Sequence, residues 1–496
     1  MHAYRSLEQR FARLDALQNA VGVLQWDVET MMPPGAAGGR AEQLAALKGL
    51  AHDMLTAPET ADLLNEAAQE VQGLSRWQAA NLREMRRAHL HASAVPGELV
   101  EASSRAVSRA EMAWREARQN ADFPYLLPHL REVLRLQREI GKAKGEVLGL
   151  TAYDALLDGH DPGLRQADID PLFAELRAEL PDLIDEARAR QARHGASDLS
   201  RGPFPVEAQH RLGKMLMRAA GFDFDRGRLD ISLHPFCGGA TDDVRITTRY
   251  DEGHFMPALL AVLHETGHAL YEQGRPQQWL HQPVGAARGM SLHESQSLAI
   301  EMQACRSRAF MEFLAPLVRE AFGRDGPGWS ADELYRSVTR VEPGLIRVDA
   351  DEVTYPLHVV LRYDIEKALI ADDMPLADLP VAFNAAMKNL LGLDVPDDGV
   401  GCLQDIHWPS GAWGYFPTYT LGAIAAAQLF EAACEAEPAL MPGLARGDFE
   451  PLRRWLRAHV HAQGSLLERD ELLAAATGRP LEATTFRRHL RQRYLG

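Results

Sequence analysis

The chain has 496 residues, 46% of them hydrophobic and 25% charged, which allows a large buried core and excludes a fibrous or largely disordered protein. A formal net charge of -16 argues against a nucleic-acid partner, because that affinity comes mostly from Lys and Arg displacing counterions. No run approaches the roughly 18 apolar residues that a membrane span needs, so no membrane partner is expected.

The opening MHAYRSLEQRFARLDALQ has no apolar stretch and carries Glu8 and Asp15, which suits neither an export signal nor an acid-poor transit peptide. Trp26 and the two prolines of WDVETMMPP suit a helix end and carry no evident chemistry. Up to about residue 220, apolar residues recur at spacings of three and four with Ala, Leu, Glu, Arg and Gln between them, which predicts helices. The segments 127–150 and 170–195 are good examples.

At Gly227 the period changes to two. Leu229, Ile231 and Leu233 alternate with Asp230, Ser232 and His234, and a second alternation follows in DVRITTRY from Asp243. These runs predict two strands of a small sheet, with Gly238-Gly239 as the turn between them. Helical periodicity resumes near His254 and continues, with loops near 324–330, 341–352 and 396–416, to a polar helix in TTFRRHLRQRYLG. Cys237, Cys305, Cys402 and Cys434 lie far apart, as expected of reduced, packed thiols in a cytoplasmic protein. No linker or repeat interrupts the chain. The expectation is a mostly α protein forming one domain over 1–496, with a helical part (1–220), a small β-sheet (227–250) and a second helical part (254–496).

HETGH at 264–268 is an H-E-x-x-H motif. Helical residues four apart share a face, so His264 and His268 can bind one ion while Glu265 projects beside it. Apolar neighbours such as Leu259, Leu260, Val262 and Leu263 place the motif on a buried helix, where unpaired imidazoles are costly. Catalytic zinc usually takes three protein ligands and one water. The residues alone leave His281, His293, Glu294 and Glu301 open as the third.

Further motifs are QWDVETMMPPGAAGGRAEQ (25–43), AYDALLDGHDPG (152–163), HPF (234–236), DVRIT (243–247), HESQS (293–297), IRVDAD (346–351), GCLQDIHW (401–408) and GYFPTYTLG (414–422). In order and spacing, over nearly the whole chain, they resemble the carboxypeptidase Taq family of metallocarboxypeptidases. The resemblance implies a mostly helical subunit with a deep groove, a homodimer, and one divalent metal ion per subunit. It also implies release of single residues from peptide C-termini with broad specificity. It selects Glu294 as third ligand beside His264 and His268, with Glu265 as the catalytic carboxylate. Zinc is the expected metal, with cobalt and manganese tolerated by the same donors. Thermolysin-like sites often carry an Asp four residues after the third ligand to orient a histidine. Here that position is Leu298, which leaves Glu301 as the candidate for the role.

In such a site Glu265 takes a proton from water and delivers it to the leaving amine. His407, Tyr415 and Tyr419 are candidate donors to the developing oxyanion, the alternative being an aromatic wall. Sensing a free carboxylate calls for a guanidinium. Arg347 is the candidate clamp, Arg245 serves either substrate or Asp243, and His234 either borders the cleft or stabilises a turn. Two other readings compete: an oligopeptidase or dipeptidyl carboxypeptidase on the same scaffold, and a non-catalytic metal-binding interaction protein.

Overall fold

The computed structural model describes residues 2–193, 199 and 202–496. Among the described residues nine α-helices precede the sheet: α1 (His2–Thr30), α2 (Ala37–Thr56), α3 (Pro58–Gln69), α4 (Arg76–Ser93), α5 (Gly97–Asn120), α6 (Phe123–Leu148), α7 (Ala152–His160), α8 (Gln166–Gln191) and α9 (Val206–Ala220). The expected helix at 127–150 is α6, which Asp122 caps by accepting from the Tyr125 N–H. The last expected residues of α8, 194–195, lie outside the described residues.

The sheet has three strands: β1 (Gly227–Ile231), β2 (Cys237–Ala240) and β3 (Asp243–Thr248), in the order β1-β3-β2. Here the sequence expectation needs correcting. Gly238 and Gly239 do not form a turn between two strands; they lie inside β2, which pairs antiparallel with β3. β1 pairs parallel with β3, Leu229 opposite Ile246, and parallel strands cannot be joined by a hairpin. The chain therefore passes β3 and returns along its far edge. Glycine suits that edge because α1 presses on it: a Cβ on Gly22 would meet the Gly239 carbonyl oxygen at 2.0 Å. Of the alternating apolar residues only Leu229 is buried, while Ile231 and, beyond the end of β1, Leu233 are exposed. Val244 and Ile246 of β3 pack with Leu229 against Val262 and Ala269 of the next helix.

That helix is α10 (Phe255–Gly274), followed by α11 (Gly289–Leu298), which runs directly into a π-helical segment (Ala299–Cys305). The remainder is α12 (Arg308–Phe322), α13 (Ala331–Val338), α14 (Tyr355–Ile370), α15 (Leu379–Leu391), α16 (Pro417–Ala436), α17 (Leu440–Leu444), α18 (Glu450–His459), α19 (Arg469–Thr477) and α20 (Ala483–Leu495). The fold is mostly α with a small sheet, as expected. No helix among the described residues is long and apolar enough to cross a membrane. The four cysteines are free.

Two large cores flank α16. Leu421, Ile424 and Ala427 join a core built with α6, α7, α8, α14 and α15. Ala425, Ala426, Leu429 and Ala433 join one built with α9, α10, the π segment, α12 and α18. The alanine-rich sequence of α16 suits a helix buried on both sides.

Candidate metal centre

Two close approaches between three helices assemble the site. α10 carries His264, Glu265 and His268, α11 carries Glu294, and α16 backs α11. A Cβ on Gly267 would lie 2.4 Å from the Gln296 carbonyl oxygen, and one on Gly422 would lie 2.7 Å from Cβ and Cγ of Glu294. The bare glycine backbones let the three helices meet at distances no side chain permits.

The candidate ligand atoms of His264, His268 and Glu294 all lie within 4.8 Å of one another. Nε2 of His268 stands 3.5 Å, and Nε2 of His264 3.9 Å, from the same Glu294 oxygen. A tetrahedral ion with bonds near 2 Å needs ligand separations of about 3.4 Å, so this triad fits one with little movement.

The hydrogen bonds behind the imidazoles make the same case. His264 donates from Nδ1 to Glu301 at 2.9 Å, and Glu301 accepts from Arg306 at 2.6 Å. His293 donates from Nε2 to Glu272 at 2.9 Å, which leaves its Nδ1 to accept from Nδ1 of His268 at 2.6 Å. In the neutral imidazoles both chains put the proton on Nδ1 and leave the Nε2 lone pair facing Glu294, the form that metal binding requires.

Of the four residues open as third ligand, Glu294 is the one brought to the triad. His293 and Glu301 stand behind the imidazoles, and His281 pairs with Asp15 at 2.8 Å on a half-exposed surface. Glu272 was not singled out in the sequence. The signal was there, since 264, 268 and 272 continue one helical face.

Glu265 is 7% exposed. Burial pushes its carboxyl up to about 7, with His264 opposing. It makes no hydrogen bond or ion pair among the described residues, so its oxygens are free to handle a proton. Burial opposes charge on His268 and holds it down to about 4. Burial acts likewise on His264, but Glu294, Glu301 and Glu265 outweigh it and raise it to about 10.

A second cluster centres on Arg347, which is 5% exposed. Its Nε and Nη2 donate to Asp405 at 3.1 and 2.8 Å, and its Nη1 donates to the Tyr355 hydroxyl at 2.6 Å. Of five N–H groups, one remains on each terminal nitrogen, the paired geometry that grips a carboxylate. Asp405 is itself held from the other side by Arg362. It went unnoticed in the sequence because it lies in a loop, two residues before His407, where no periodicity marks it.

His407 stacks on Phe416 with ring centroids 4.3 Å apart, and its Nε2 lies 3.1 Å from the Tyr419 hydroxyl. Burial, then the charge of Arg347, depress it to about 3, so the ring is neutral. Tyr415 packs edge-on against Tyr419 at 5.3 Å, and its hydroxyl has no hydrogen-bond partner among the described residues. Burial and then the Glu294 charge raise its pKa, which keeps the phenol a donor. Arg245 is held by Asp243 through Nε at 2.9 Å and lies 4.2 Å over the Trp26 ring. His234 is exposed; its carbonyl accepts from the Ser232 hydroxyl at 2.5 Å, in the turn after β1.

The known proteins that this chain resembles point to one family. The family model described as carboxypeptidase Taq (M32) metallopeptidase matches residues 6–494. Thermostable carboxypeptidase 1 of Thermus thermophilus is 41% identical, over 99% of this chain and 98% of that one. Carboxypeptidase 1 of Bacillus subtilis is 32% identical over 97% and 96%. Among solved structures, Trypanosoma cruzi metallocarboxypeptidase 1 superposes with a TM-score of 0.98 at 42% identity, covering 100% of both chains. The M32 carboxypeptidase of Deinococcus radiodurans gives 0.94 at 37%, over 100% of this chain and 99% of that one. The chain is therefore a metallocarboxypeptidase and belongs to the carboxypeptidase Taq (M32) family.

Proposed function

We propose that the enzyme releases single C-terminal residues, with broad side-chain tolerance, from peptides bearing a free carboxylate. His264, His268 and Glu294 would hold one divalent ion, zinc by the chemistry of the donors, with cobalt or manganese able to replace it. When bound, such an ion supplies Lewis acidity and makes water more acidic. Glu265 accepts the proton of the attacking water and returns it to the leaving nitrogen; a buried carboxylate with no other partner is free for both transfers. Arg347 presents its two remaining N–H groups to the terminal carboxylate, braced by Asp405 and Tyr355. Arg245, committed to Asp243 and Trp26, is a structural partner in this reading, and His234 a turn residue.

Tyr415 donates to the oxygen that gains charge as the carbonyl is attacked, because its hydroxyl alone in the aromatic group is uncommitted. Tyr419 and His407 hold each other and line the same wall. The reading extends the resemblance to a single-domain subunit working as a cytoplasmic homodimer, the pairing being open to sedimentation measurement.

The observation that carries the proposal is a free, buried Glu265 next to a His-His-Glu triad of metal-binding dimensions. Its test is a peptide ladder followed by mass, with and without a chelator and with an amidated C-terminus. Loss of one residue at a time, stopped by chelation and by amidation, is expected. Dipeptide release or internal cleavage would refute the exopeptidase reading, and indifference to amidation would refute the clamp. Glu265→Gln should lower kcat by about 10²- to 10⁴-fold with metal content unchanged; retained activity would remove Glu265 from the chemistry.

A further inference from the structure

Glu366 lies on α14, is 0% exposed, and has no part in the chemistry above. Its carboxylate is met by donors from two distant segments. One oxygen accepts from the Trp408 indole N–H at 2.9 Å. The other accepts from the Tyr153 hydroxyl at 2.7 Å and from the Gly414 N–H at 3.0 Å. Trp408 directly follows His407, and Gly414 directly precedes Tyr415. One side chain thus ties down both ends of the turn that presents these two residues.

The turn between them is closed on itself. The Ala412 N–H donates to the His407 carbonyl at 2.8 Å, and the Trp413 indole donates to the Trp408 carbonyl at 3.2 Å. It therefore moves as a unit, and Glu366 fixes where the unit sits relative to α14. A buried carboxylate is a costly way to fill space, since an apolar side chain of similar volume packs without the desolvation penalty. What only an ionised carboxylate does here is accept three hydrogen bonds from three donors; an amide or a protonated acid turns one of its own donors against them. Burial raises this carboxyl to about 7, and the three donors oppose the rise because each hydrogen bond favours the ionised form.

We infer that Glu366 is a positioning residue of the carboxypeptidase reaction, holding His407 and Tyr415 against the metal centre through Trp408 and Gly414. The inference rests on the reading that these two residues work at the cleft. A role in stability alone would leave kcat of the folded, metal-loaded enzyme intact.

The test compares metal-loaded wild-type enzyme with Glu366→Gln, Tyr415→Phe and the double variant on a peptide with a free C-terminus. Glu366→Gln should keep metal content and KM within about threefold while kcat falls about 10- to 100-fold, the scale of a misplaced catalytic group. The double variant should lie within about threefold of the weaker single one, because both substitutions disable the same interaction. Unchanged kcat, losses that multiply, or a fall in metal content that accounts for the lost activity would each overturn the inference. Should Glu366→Gln not fold, Trp408→Phe removes one donor and leaves the carboxylate in place. The same kcat loss and the same non-additivity with Tyr415→Phe are expected, and multiplying losses would again overturn it. If Tyr415→Phe and His407→Ala leave kcat unchanged, the reading of the cleft itself fails. If they cost activity and Glu366→Gln does not, only the positioning role fails.

Discussion

The two metal-facing imidazoles differ in what stands behind them. His264 leans on a carboxylate, Glu301, whose charge Arg306 balances, whereas His268 leans on the His293 ring, which passes the load to Glu272 and Arg275. Glu301→Gln keeps an acceptor for the His264 N–H but removes the negative charge. It should weaken metal affinity about 10- to 100-fold, measured by chelator competition; unaltered affinity would take Glu301 out of the site. Arg347→Lys trades a fork for a point charge, so kcat/KM should fall about 10- to 100-fold, the range of one charged hydrogen bond. The ratio of activity on free over amidated peptides should shrink with it, and an unchanged ratio would contradict the clamp. At this scale HETGH is legible because helix geometry turns a spacing of four into a shared face. Glu294 is not, since four downstream residues have suitable chemistry and only tertiary packing, or family resemblance, chooses among them. Asp405 and Tyr355 meet Arg347 through a fold that no local pattern encodes.

Between helices, contact distance is the controlled quantity. Gly267 faces backbone atoms of α11 that a methyl group could not pass. Gly213 of the neighbouring α9 faces only the Val262 side chain, at an ordinary 3.6 Å. Gly267→Ala should force α10 and α11 apart, cost about 1 to 3 kcal/mol and weaken metal retention by separating Glu294 from the histidines. Gly213→Ala should be neutral or stabilise by about 0.5 to 1 kcal/mol, the helix-propensity gain. Melting temperature and metal content after dialysis read both, and equal behaviour of the two variants would refute the close-approach argument. Helices such as α6 followed from periodicity because they are long and amphipathic. The sheet was half legible: β1 and β3 announced themselves by alternation, while β2 is four residues containing two glycines and looks like a turn until α1 is laid across it.

Over the whole molecule, buried carboxylates make stability depend on pH. Burial alone would raise Asp405, Glu352 and Asp158, but charged and hydrogen-bonding partners outweigh it and hold all three well below the usual range. These partners are Arg362 and Arg347 at Asp405, Arg493 and His489 at Glu352, and His91, Arg87 and Arg165 at Asp158. Because the folded-state values lie below the unfolded ones, the unfolded chain takes up protons first as pH falls. Their contribution is complete above about pH 5 and drains between about pH 5 and pH 1. The melting temperature of metal-free protein should fall from pH 6 to pH 3. Asp405→Asn should begin lower, because it strands two buried guanidinium groups, and should fall less steeply. Equal slopes would show that Asp405 does not contribute.

Composition and periodicity pointed to a large helical protein, but not to the way its cores divide, because α16 reads as uniformly apolar and its two faces belong to different neighbours. That shared helix bears on how the protein comes apart. Neither core can melt without stripping one side of α16, and the loss exposes the other side and removes the backing of Glu294 at Gly422. Heat should therefore find no weaker half: calorimetry is expected to give a single peak whose van't Hoff and calorimetric enthalpies agree, with the metal lost in the same step.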